Sequence, residues 1–162
     1  MKAKTLFVSI LMLAALSLSA CSMIGGTSPV ALSDLPAYPG ATELKPDDSR
    51  IAATLAKNGA NDAAMRNAIG VGGKTEQRGF SASKDTTWDA VKKFYDDKLN
   101  STGWGAPAGN AITSNILNQV NQQNDMFQTA IYSRGKQTLS VIRLADPITK
   151  EVTLIMSLTT NP

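Results

Sequence analysis

The sequence predicts an α+β fold in which an antiparallel sheet packs against a few short helices. Three observations predict it. Apolar residues recur at every third or fourth position in the middle of the chain, they alternate with polar residues from residue 127 onward, and short turn signals separate the alternating segments. We expect three C-terminal strands and one or two N-terminal strands in the sheet.

The first 20 residues, MKAKTLFVSILMLAALSLSA, are typical of a secretory signal peptide. Two lysines precede an apolar run, and the segment ends in small residues. The run is short for a permanent membrane-spanning helix, which needs about 20 residues, so we expect cleavage rather than a retained anchor. Cleavage leaves 14 Lys and Arg against 13 Asp and Glu. This balance excludes the strongly basic surface typical of nucleic-acid binding.

The leader ends in Leu18, Ser19 and Ala20, an aliphatic residue and two small ones, directly before Cys21. This junction resembles the lipobox of bacterial lipoproteins, in which the signal peptidase recognises the three residues before the cysteine. The resemblance implies that the Cys21 thiol carries a diacylglycerol and the new N-terminal amine a further acyl chain. Each buried methylene contributes about 0.8 kcal/mol, so several chains hold a protein firmly at a membrane. Cys21 is the one cysteine in the chain, and acylation accounts for an unpaired thiol in an exported protein.

The residue after the cysteine is Ser22, which by resemblance to lipoproteins of Gram-negative bacteria implies the outer membrane. In a bacterium with one membrane the same anchor would lie on the outer face of the plasma membrane. The sequence therefore predicts a cell-envelope protein that contacts its membrane through covalent lipid. Because residues 21–35 are rich in Gly, Ser, Thr and Pro, we expect a flexible tether there and a single domain over residues 36–162.

A turn containing proline and glycine opens the domain and leads to a short extended piece over residues 41–44. The next segment predicts two short helices, because Asn58-Gly59 is a helix stop signal. The apolar residues that define these helices are Ile51 and Leu55 in the first and Met65 and Ile69 in the second.

The stretch AIGVGGKT, residues 68–75, fits a loose phosphate-loop pattern. A phosphate loop lies between a buried strand and a helix, where backbone N–H groups surround the phosphates. Here the order is reversed, since an alanine-rich helical segment precedes the glycines and the extended segment EQRGFSAS follows them. We therefore predict a helix, a glycine-rich link and a strand, and we expect no nucleotide and no cofactor.

The segment TTWDAVKKFYDDKLNSTGW, residues 86–104, predicts the clearest helix. Its core-facing residues, at helical spacing, are Trp88, Val91, Tyr95 and Leu99. Thr86 and Asp89 resemble a capping box, and Gly103 supplies a left-handed stop. Lysine–aspartate pairs four residues apart mark the solvent side of this helix.

The segment NAITSNILNQVNQQND, residues 110–125, predicts a fourth helix, which is rich in amide side chains from Asn115 to Asn124. The apolar residues of its buried face fall four apart and are Ile112, Ile116 and Val120. Asn and Gln side chains are both donors and acceptors, which suits sugar hydroxyls or another polar chain, although a solvated helix face is the alternative. The candidate ligand contacts are Asn118, Gln119, Gln122 and an exposed Trp104 as a stacking ring.

From residue 127 onward the alternation predicts strands over residues 127–133, 138–144 and 152–160, joined by SRGK and ADPITK turns. In the last strand Ile155 is the one apolar residue on the otherwise polar face. The apolar face consists of Val152, Leu154, Met156 and Leu158. We expect the helix that begins near Trp88 to cover one face of the sheet.

The chain offers few residues for catalysis. It has no histidine, which excludes a Ser-His-Asp triad, a Cys-His pair and histidine-ligated zinc. The carboxylate pairs Asp47-Asp48 and Asp96-Asp97 fit a helix cap and a solvated helix face, so we expect no catalytic residue and no metal site. A small histidine-free hydrolase, with two convergent carboxylates in a cleft, is the less favoured alternative.

YPGA at residues 38–41 and FYDDKLNSTGW at residues 94–104 together resemble a broad set of small bacterial envelope lipoproteins. These proteins pair the two motifs and continue into an antiparallel sheet, and the set has no established reaction. The resemblance implies architecture and location rather than catalysis. We therefore predict a lipid-anchored envelope protein with a non-catalytic binding or scaffolding domain, whose partner is an envelope protein or a glycan. A carbohydrate- or peptidoglycan-binding module is the main alternative.

Overall fold

The computed structural model describes residues 28–68, 73–107 and 111–162. The predicted signal peptide, the lipobox residues Leu18, Ser19 and Ala20, Cys21 and Ile69 lie outside these ranges. A short 3-10 helix, Leu32–Asp34, comes first. The elements that follow are β1 (Thr42–Glu43), α1 (Arg50–Ala68), β2 (Lys74–Ala82), α2 (Trp88–Asn100), α3 (Ala111–Gln123), β3 (Phe127–Arg134), β4 (Gln137–Ala145) and β5 (Val152–Thr160).

The five strands form one antiparallel sheet in the order β1-β2-β5-β4-β3. β3, β4 and β5 are joined as hairpins, and α2 and α3 lie in the long connection from β2 to β3. Gly135 takes a left-handed φ of 56° in the tight β3–β4 turn. The predicted α+β class, with three C-terminal strands and additional N-terminal ones in an antiparallel sheet, is confirmed.

The core lies between α2 and one face of the sheet. All four predicted residues of the α2 stripe are buried, as are the four alternating residues of β5. Gly103 ends the helix with a φ of 83°, as predicted. The N-cap is Thr87 rather than Thr86, since the Thr87 hydroxyl accepts the N–H of Ala90 at 3.3 Å. Thr86 is instead buried, and its carbonyl accepts a hydrogen bond from Arg143.

The second face of the sheet carries α1, a packing that the sequence did not predict. Gly79 lies under Leu55, and a Cβ on that glycine would meet Leu55 Cδ1 at 3.0 Å. The missing side chain therefore lets α1 approach β2 closely. Ile155, the apolar residue on the polar face, is only 8% exposed and lies in the groove beside α1. The irregularity in the β5 pattern thus marks a second packed face.

α1 is one continuous helix of 19 residues, so the predicted stop at Asn58-Gly59 is wrong. A glycine inside a helix costs only about 1 kcal/mol relative to alanine, and it ends a helix only where the chain turns left-handed. The alanines around Asn58-Gly59 favour continued helical hydrogen bonding, and the first half of α1 packs on the sheet. The predicted Met65 side chain lies outside the described residues.

The folded unit begins before residue 36. Leu32 and Leu35 are 2% and 8% exposed and belong to the core. Val30 exchanges hydrogen bonds of 2.9 and 2.8 Å with the side-chain amide of Gln137. The predicted tether over residues 21–35 is therefore wrong in its C-terminal part. Two leucines three residues apart bury enough apolar area to fix a segment whose composition is otherwise typical of a linker.

α3 lies along the free edge of β3, and Val120, one of its three apolar residues at helical spacing, is not the residue that faces the strand. Val120 is 41% exposed, whereas Asn121 is 6% exposed. The Asn121 amide donates to the Thr129 carbonyl and accepts the Thr129 N–H, both at 2.8 Å. The amide thus takes the place of a neighbouring strand at this position of the sheet edge. The side chains of Ile112 and Ile116 lie outside the described residues.

Candidate functional site

A cavity of about 330 Å³ lies between α2, α3 and the edge of β3. We call it the β3-edge cleft. One wall is the solvent stripe of α2, the other is formed by Leu117 and Asn118 of α3, and the floor is the segment 129–132 of β3. Its volume lies at the lower end of the range of about 300–1,000 Å³ typical of small-ligand sites.

The floor of the cleft contains one unoccupied position on the sheet edge. On one side of it Thr129 pairs with Asn121, and on the other Ser133 and Gly105 exchange backbone hydrogen bonds of 2.8 and 3.0 Å. Because alternate residues of an edge strand direct their N–H and C=O the same way, those of Ile131 also point away from β4. Among the described residues neither group has a hydrogen-bond partner. The cleft therefore offers one backbone donor and one backbone acceptor side by side.

The two charged side chains that line the cleft neutralise each other. Lys92 and Asp96 of α2 form an ion pair, and the second oxygen of Asp96 accepts the Tyr132 hydroxyl at 2.9 Å. Burial, and then the hydrogen bond to Asp96, raises the pKa of Tyr132, so its hydroxyl stays protonated at physiological pH. With no net charge among its lining residues, the cleft suits a polar, uncharged ligand.

Two amide side chains stand on opposite walls of the cleft, Asn100 from α2 and Asn118 from α3. Both are exposed, and neither makes a hydrogen bond to another described residue. Of the predicted ligand contacts, the structure therefore brings Asn118 to the cleft. Gln119 and Gln122 are exposed on α3 but do not line it.

The predicted contact that the structure corrects is Trp104. This residue is only 3% exposed and its ring belongs to the core, so it presents no open face on which a sugar could stack. The left-handed turn at Gly103 directs the chain back toward the helix end, where the Trp104 N–H donates to the Leu99 carbonyl at 3.2 Å. The expectation of an exposed Trp104 is therefore wrong.

Asp48 and Asp97, one from each carboxylate pair singled out in the sequence, serve local structure, and so does Asp146 of the β4–β5 turn. Asp48 accepts the N–H of Lys45 at 2.6 Å, and Asp97 pairs with Lys93 on the surface of α2. Asp146 accepts the N–H groups of the turn that follows it, which lowers its pKa, the opposite of what a general acid needs. Within the described ranges no group of three or more His, Cys, Asp or Glu side chains is placed to hold a metal.

The Gly-Lys-Thr stretch, residues 73–75, continues from the link after α1 into β2. Lys74 is the first residue of β2, its side chain is 70% exposed, and it pairs with Glu76 at 2.9 Å. The predicted order of helix, link and strand is therefore confirmed, and it is the reverse of the order in a phosphate loop. Residues 69–72 of the link lie outside the described residues. The absence of nucleotide binding stays a prediction.

Compared with known protein families, with curated proteins and with solved structures, the chain matches none. No helix in the described ranges combines the length and the apolar character needed to cross a bilayer. The leader, the lipobox and the β3-edge cleft are therefore the features on which a functional proposal rests.

Proposed function

We propose that this chain is a lipid-anchored protein of the bacterial cell envelope whose folded domain is a non-catalytic binding module. The leader and the lipobox before Cys21 support the anchor, and Ser22 supports the outer membrane as its location. The described fold begins within a few residues of Cys21, since the carbonyl of Ser28 accepts a hydrogen bond from Arg134 at 3.0 Å. The lipid would therefore hold the domain close to the membrane surface.

The observation that carries the binding proposal is the open position at Ile131. Sheet edges are normally paired or covered, because unpaired N–H and C=O groups bind other chains. Here Asn121 and Gly105 cover the neighbouring positions, so an added β-strand does not fit, but one amide group does. An amide of a ligand can donate to the Ile131 carbonyl and accept its N–H at the same time. The ligand class is therefore a polar, uncharged molecule that carries an amide.

Two sources in the envelope present such an amide, a protein segment and the acetamido sugars of the cell wall. The amides of Asn100 and Asn118 favour the second candidate, a carbohydrate- or peptidoglycan-binding module, because they can pair with sugar hydroxyls on either side. A hydrolase has less support, since the one carboxylate lining the cleft, Asp96, is already engaged by Lys92 and Tyr132.

A titration followed by NMR tests this proposal on the mature chain in detergent micelles. The probes are a tetramer of N-acetylglucosamine, an acetylated alanine tripeptide, and a glucose tetramer that lacks acetamido groups. We expect the amide resonance of Ile131 to shift with the first probe, the second or both, but not with the glucose tetramer. A shift with the sugar alone assigns a glycan ligand, and one with the peptide alone assigns a protein.

A matched pair of variants locates the binding. Asn118→Ala should weaken the affinity for the probe that shifts the Ile131 resonance by about 3- to 10-fold, the effect of one lost hydrogen bond. Asn115→Ala removes the same amide from an exposed position of α3 outside the cleft, and it should leave the affinity unchanged. The binding proposal fails if no probe moves the Ile131 resonance, or if both variants weaken binding equally.

A further inference from the structure

Large apolar side chains are exposed at the end of the sheet where β3 begins. They are Ile51, Met126, Phe127 and Ile148, with exposed fractions of 36%, 53%, 40% and 88%. Two adjoining cavities of about 650 and 170 Å³ lie among them and share Ile51, Leu144, Asp146 and Glu151 as lining residues. We call this surface the distal groove. Exposed apolar surface of this kind marks interaction sites in proteins.

The apolar character of the groove continues across the sheet. Phe127 of β3 lies opposite Leu144 of β4 in the strand register, on the face that α1 covers in part. Ile155 of β5 and Leu55 of α1 extend the same surface. The groove thus has an aliphatic floor, and Ile148 is exposed on the adjoining β4–β5 turn.

The distal groove lies far from the point where the chain leaves the fold toward Cys21. β3 has eight residues and extends for about 25 Å from Phe127, at the groove, to Arg134, which contacts Ser28. Six residues lie between Cys21 and Ser28, so the link spans at most about 25 Å. With the proposed lipid anchor, the membrane would face the Arg134 end of the sheet and the groove would face away from it.

The rim of the groove is mildly acidic. Asp146 and Glu151 line it together with a single basic residue, Arg50. Asp146 accepts the N–H groups of Ile148 and Thr149, both at 2.8 Å, which fixes the turn that presents Ile148. An occupant with a basic residue beside its apolar side chains would complement this rim.

We propose that the distal groove binds a segment of another envelope protein that presents aliphatic or aromatic side chains next to Lys or Arg. The groove lies at the end of the sheet opposite Ser28, and its acidic rim favours a basic flank on the partner and disfavours an anionic membrane surface. The exposed apolar side chains lie on the sheet and on a turn held by hydrogen bonds. This surface therefore needs little rearrangement on binding.

Selection of short random peptides displayed on phage, with the mature chain as target, tests this inference. We expect the enriched peptides to combine aliphatic or aromatic residues with Lys or Arg. Met126→Asp and Ile51→Asp, both at exposed residues that line the groove, should each weaken these peptides by about tenfold. Val120→Asp is the matched control, because Val120 is 41% exposed but does not line the groove, and it should leave the affinity unchanged.

Four outcomes would overturn the inference. Enriched peptides without apolar anchors, or with equal affinity for all three variants, would show that the groove is not their site. Self-association of the chain that Met126→Asp abolishes would assign the groove to a second copy. Binding of phosphatidylglycerol vesicles that the same variant abolishes would assign it to lipid. Asn118→Ala should bind the peptides like the wild type, which separates this result from that of the β3-edge cleft.

Discussion

Tyr95 shows how one residue joins the parts of the fold that the sequence presents separately. Its side chain is fully buried, and its hydroxyl donates to Met156 Sδ at 3.3 Å. Its ring meets that of Phe94 at 5.0 Å, and Phe94 meets Tyr38 at 5.4 Å, both edge to face. The Tyr-Pro-Gly-Ala and Phe-Tyr motifs are therefore in direct contact. Helical spacing predicted that Tyr95 is buried, but spacing within one helix carries no information about a contact with Tyr38.

Two buried tyrosines should make the protein sensitive to alkali. Burial raises the pKa of Tyr95 to about 12, and burial together with Asp96 raises that of Tyr132. The native chain then keeps protons that the unfolded chain loses near pH 10, so the two tyrosines leave stability unchanged below about pH 10 and lower it above, by up to about 1.4 kcal/mol per pH unit for each tyrosine. Urea unfolding across this range measures the slope. Tyr95→Phe and Tyr132→Phe should each make it shallower, and a slope unchanged in both variants would contradict the assignment.

Only some of the residues that form the candidate site could be predicted from the sequence. Asn118 followed from the amide-rich composition of α3, but Ile131 acts through its backbone, and its side chain gives no signal of that. Asn100 and the Lys92–Asp96 pair had the pattern of a solvated helix face. They line a cleft only because α3 folds back along β3, an arrangement that local periodicity does not determine.

Among the helices, α3 shows that the spacing of apolar residues does not by itself predict how a helix packs on the sheet. Strand and helix periods predicted all three C-terminal strands and α2, because those elements bury apolar stripes. In the described part of α3, Asn121 instead makes the contact with the β3 edge. A contact made by an amide side chain is not signalled by apolar residues at helical spacing. The leucines that attach residues 30–35 to the core, and the glycine under α1, likewise depend on contacts between distant parts of the chain.

Asn121→Ala should therefore lower the free energy of unfolding more than Asn118→Ala, which changes another amide of the same helix. Asn121→Ala removes two hydrogen bonds of 2.8 Å and leaves the Thr129 N–H and C=O without partners. We expect the free energy of unfolding to fall by about 1–3 kcal/mol. Asn118→Ala changes an exposed amide of the same helix and should leave it within about 0.5 kcal/mol of the wild type. Equal losses of unfolding free energy in chemical denaturation would contradict a stabilising role for the contact between Asn121 and the β3 edge.

The two ends of the sheet differ in the kind of side chain that they carry. The end that receives the chain from Cys21 carries Arg134 and Lys136 at the β3–β4 turn, whereas the opposite end carries the exposed apolar residues of the distal groove. A basic end toward an anionic membrane and an apolar end toward partner proteins fit a tethered binding module. The leader and the lipobox predicted the lipid anchor, but this polarity emerges only from the strand order and register.

The proposed envelope location and the orientation of the domain at the membrane both depend on the chemistry at Cys21. Its most direct test is intact-mass and peptide mass spectrometry of the protein extracted from cells in detergent. We expect a mature chain that begins at Cys21, with a diacylglyceryl group on sulfur and an acyl chain on the amine, and an unprocessed, unlipidated chain for Cys21→Ser. A mature chain that begins at another residue, or that retains a free Cys21 thiol, would contradict the proposed anchor and the orientation derived from it.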